Sequence, residues 1–106
     1  MRQSVAERVL WTRGDLASIL GFLDTATPEF MPEDRRLIVG VFEGLLAHKR
    51  GGPPRAVSDV ETRAIERFRL ALLELASRTA EVFEAARLHA LAGVAERVVW
   101  GLRESL

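Results

Sequence analysis

The sequence predicts an all-α fold: a small helical bundle of two shorter helices and one long C-terminal helix, completed by dimerisation. Apolar residues recur at steps of three and four along most of the chain, the period of packed helices. All four prolines fall at positions 28, 32, 53 and 54, so only two stretches are punctuated as loops. With 106 residues, 48% of them hydrophobic and 28% charged, the chain reads as a single helical domain over 1–106.

The first helix is expected over about 3–24. Val5, Val9, Leu16, Ile19 and Leu23 keep heptad spacing, with Thr12 in the one polar slot and Leu20 widening the stripe. A loop over 25–31 follows, because Pro28 and Pro32 restrict the residues before them. The second helix is expected over about 32–50. Pro32 suits a first helical position, and Glu33 and Asp34 suit the positive end of the helix dipole. Leu37, Ile38, Val41, Phe42, Leu45 and Leu46 fill half of its circumference and Val39 extends that arc, so several sides should be buried. His48, Lys49 and Arg50 close this helix, and Gly51 supplies a left-handed cap. Beyond the loop over 51–57, Ser58 and Glu61 form a capping box.

No proline interrupts 58–105. One helix of about 47 residues would be roughly 70 Å long, against about 33 Å for the first. Its stripe runs through Ile65, Phe68, Leu72, Leu75, Thr79, Val82 and Ala86, then shifts to Leu91, Val94, Val98 and Leu102. The shift has two readings. Either it is a stutter in one long helix whose overhang needs a second chain, or the helix breaks near His89–Gly93 and one chain closes a four-helix bundle. No turn signal marks that region, which favours the continuous helix. On this reading Phe68, Leu72, Leu75, Val82, Val94 and Val98 form the self-association seam of a homodimer.

Composition narrows the function classes. Fifteen Lys and Arg balance fifteen Asp and Glu, so no global field draws the chain to nucleic acid or an acidic membrane. The chain has no cysteine, which excludes disulfides, thiolate nucleophiles and Cys-ligated metals, and no tyrosine. No apolar run reaches the 18–20 or so residues that span a bilayer, and the N-terminus has no unbroken apolar stretch of a secretory leader. Fourteen of the fifteen basic residues are arginine, a bias of GC-rich genomes, so a cytoplasmic prokaryotic protein is expected.

Candidate sites are few. Trp11 and Phe22 are eleven residues apart, three helical turns, opposite the heptad stripe. They form an outward partner contact, unless Gly14-Asp15 breaks the helix and lets both rings join the core. Gly40, Gly44 and Ala47 make a small-residue strip that admits close packing, within the chain or between copies. Arg50, Arg55, Arg63 and Arg67 could gather as a phosphate-contacting patch, or be a solvated face laced with ion pairs three and four residues apart. Glu43 and His48 could line a ligand site or active site formed between chains. Neither His48 nor His89 has metal-ligand spacing, and no nucleophile elbow, P-loop or dinucleotide fingerprint occurs. No catalytic, cofactor-binding or metal residues are therefore assigned. The expected function is non-enzymatic: a helical protein–protein interaction or assembly module, adaptor-like and homodimeric, with an unknown protein partner and no cofactor. A nucleic-acid-associated small subunit is the alternative, and a small-ligand or enzymatic site between chains the second.

Overall fold

A computed structural model describes residues 11–104, and these contain four helices, not three. Helix α1 spans Arg13–Thr25, α2 Arg35–Lys49, α3 Asp59–Ser77 and α4 Val82–Glu104. Each packs on two others: α1 on α2 and α4, α3 on α2 and α4. The α3–α4 contact is the most extensive and the α1–α4 contact the least. Leu16, Ile19, Ile38, Val41, Phe42, Ile65, Phe68, Leu72, Leu88 and Val98 are fully enclosed between the four helices.

The expected long helix over 58–105 does not form, and its break lies at Arg78–Glu81, not near Gly93, which sits inside α4. Neither glycine nor proline makes this turn. Arg78 and Thr79 N–H groups close on the Leu75 and Ala76 carbonyls at 3.1 Å. The Thr79 hydroxyl donates back to Leu75 at 2.7 Å and that of Ser77 to Glu74 at 2.7 Å. Such local bonds satisfy the carbonyls that a continuing helix would have used. Glu81 then starts α4: its carboxylate accepts from the Phe83 and Glu84 N–H groups at 3.1 and 2.7 Å. The chain thus reverses before the apparent register slip, and Val82 and Ala86 do not continue the buried stripe of α3. Leu91, Val94 and Val98 are buried against the same chain.

The first helix also starts later than its heptad pattern implies. Thr12 is the N-cap of α1, not a helical slot, and forms a reciprocal capping box with Asp15 at 3.0 Å each way. Trp11 precedes the helix, and Val5 and Val9 lie outside the described residues. Similarly, Pro32–Asp34 form a turn, with Asp34 as N-cap and α2 beginning at Arg35. Met31, just before Pro32, takes a left-handed φ of 48°. Beside it, Phe30 packs edge-on to Phe22 at 5.4 Å and against Phe68 at 6.1 Å. Arg35 ties this loop down by donating to the Thr27 and Phe30 carbonyls.

The other end of α2 follows expectation. Gly51, at φ 99°, donates to His48, and Gly52 donates to Ala47 at 2.8 Å, a Schellman arrangement. Ser58 and Glu61 form the expected capping box on α3. Asp34 meets Arg67 at 2.8 Å, which marks the level at which α2 begins. Ten further α3 residues continue past it, about 15 Å of helix. The α3–α4 hairpin thus projects beyond the shorter α1–α2 pair, and no residue from 77 to 87 is buried.

Candidate functional site

The residues expected to join two copies are mostly spent inside one. Phe68, Leu72, Val94 and Val98 are enclosed in the chain's own core, and Leu75 is half-buried against it. Of the proposed seam only Val82 is exposed, at 74%. The pair chosen as an outward contact is also internal: Trp11 is 6% and Phe22 7% exposed. Starting α1 at Arg13 changes the phase between the two rings, so both turn inward.

The four arginines do not form a free cationic patch. Arg55 pairs with Glu61 at 2.9 Å and Arg67 with Asp34, while Arg50 and Arg63 are exposed. These hydrogen bonds hold the carboxyls of Glu61 and Asp34 below the usual carboxylate range, with the Ser58 N–H adding to the effect at Glu61. Arg55 also accounts for the small-residue strip on α2. Its stem lies across Gly44, where an added Cβ would stand 2.6 Å from the Arg55 Cδ, and its guanidinium reaches Gly40. The strip is thus filled by a loop side chain, with no second helix involved. Glu43 lines shallow clefts with Arg35 and Val39, whereas His48 lines a separate one with Trp11, Leu45 and Lys49. These clefts of a single chain do not bring Glu43 and His48 together. No group of three or more potential metal ligands occurs among the described residues. No helix among them is long and apolar enough to cross a membrane.

A different surface emerges between α1 and α4. Their sparse contact leaves a groove of about 330 Å³, lined by Asp15, Ser18, Gly21 and Phe22 from α1 and Arg87, Ala90, Leu91 and Val94 from α4. Phe22, Leu91 and Val94 are its buried apolar floor, while Ser18, Gly21 and Ala90 form open, low walls. At one end the Arg87 guanidinium lies over the Phe22 ring, 5.6 Å from its centroid, and pairs with Glu84 at 2.8 Å. That hydrogen bond also holds the Glu84 carboxyl below its ordinary range. The opposite end is closed by Asp15 and Arg97, 3.8 Å apart.

Phe83, Arg87, Ala90 and Val94 are spaced four, three and four, so they form one stripe of α4 facing α1. Arg87 is covered on one side by Phe22, near the end of α1. Phe83, one turn further, has nothing above it and is 82% exposed, with Val82 beside it. Gly21 in the groove wall and Gly93 elsewhere on α4 are glycines for no packing reason within the described residues: a Cβ added at either would meet nothing within 4 Å. Each costs its helix up to about 1 kcal/mol relative to alanine.

Sequence reasoning passed over Phe83 because it falls off the heptad stripe of an assumed continuous helix. No residue pattern singled it out, because Phe83 is exposed whether or not the helix breaks before it. Compared with known proteins, the chain matches no family model, no curated protein and no solved structure.

Proposed function

We propose that this chain is a non-enzymatic helical interaction module, and that its contact surface is the α1–α4 face ending in Phe83. The observation that supports this reading is the aromatic ring left 82% exposed at the end of an apolar-floored groove. An isolated large aromatic in water has no stabilising role in the monomer, whereas aromatic anchors dominate interface energetics. The chain also folds its four helices around a core of its own, so the surface is offered by a preformed scaffold, which lowers the ordering cost of binding.

A photo-crosslinking amino acid in place of Phe83, expressed in the source cell, tests the reading, with the same group in place of the exposed Arg36 as the control. Discrete adducts at position 83 and none at position 36 are expected. Adducts at neither position, or the same adducts at both, overturn it.

A further inference from the structure

We draw no further inference here: the strongest candidate, the apolar-floored groove between α1 and α4 with the exposed Phe83 ring beyond its end, belongs to the surface already described, and nothing in the structure shows what covers it.

Discussion

The two ends of the α3–α4 hairpin are built on opposite principles. At its base, Ile65, Phe68, Val94 and Val98 are buried beneath α1, α2 and the loop between them. The loop before α3 is pinned there by Arg55, held between the glycine strip of α2 and Glu61. At its tip, the residues from 77 to 87 include none that is buried, and the turn is held by side chains within a few residues of each other. The base is stabilised by burial of apolar area, which is long-range and cooperative. The tip is stabilised by local hydrogen bonds, which tolerate an exposed aromatic. Stability and the proposed contact surface are thereby separated along one hairpin.

The largest effect should come from breaking the base. Phe68→Ala removes a fully buried ring that touches both Phe22 and Phe30, and should cost about 3–5 kcal/mol in urea denaturation. Against the roughly 5–15 kcal/mol of a typical domain, a loss below about 1 kcal/mol would show that the two helix pairs are not joined there.

Two carboxylates then sharpen the contrast, because both are hydrogen-bonded by arginine and held below their usual range. A lowered folded value means stability is present above the ordinary carboxylate pKa and is lost as pH falls through the folded one. Glu61→Gln should cost about 1–2 kcal/mol at neutral pH and flatten the acid limb, its curve merging with wild type at low pH. Glu84→Gln should leave that limb unchanged, since the Glu84–Arg87 pair is about half exposed and water screens it. Equal effects of the two substitutions would remove the distinction between base and tip.

The smallest effects come from paired glycines. Gly44→Ala displaces the Arg55 stem and should cost about 1 kcal/mol, a cost that disappears when Arg55 is also alanine. Gly21→Ala meets open space and should stabilise the monomer by about 0.5–1 kcal/mol. Thermal melts of the four proteins, with the wild type as reference, check both signs.

Much of the base was legible in the sequence. The capping box at Ser58, the left-handed cap at Gly51 and the apolar arc of α2 rest on residues whose local chemistry is decisive, and all three are present. The tip was illegible for an equally physical reason. Ser77, Thr79 and Glu81 are tolerated inside helices and become a turn only when their side chains bond the nearby backbone, so no residue type announces it. Missing that turn moved the long-helix overhang into an intermolecular seam. The start of α1 was more accessible, since Thr12-Arg13-Gly14-Asp15 carries a capping signature that the heptad reading overrode.

The loose contact between α1 and α4 has a kinetic consequence. The two most extensive interfaces, α3–α4 and α1–α2, join neighbours along the chain, with only four residues between α3 and α4, so most native contacts close over short loops and at low entropic cost. Docking of α1 on α4 is the single closure that spans nearly the whole chain, and it is also the least extensive. It is therefore expected to form last on folding and to open first in the native state. Amide exchange on α1 should therefore report local detachment at a free energy below that of global unfolding.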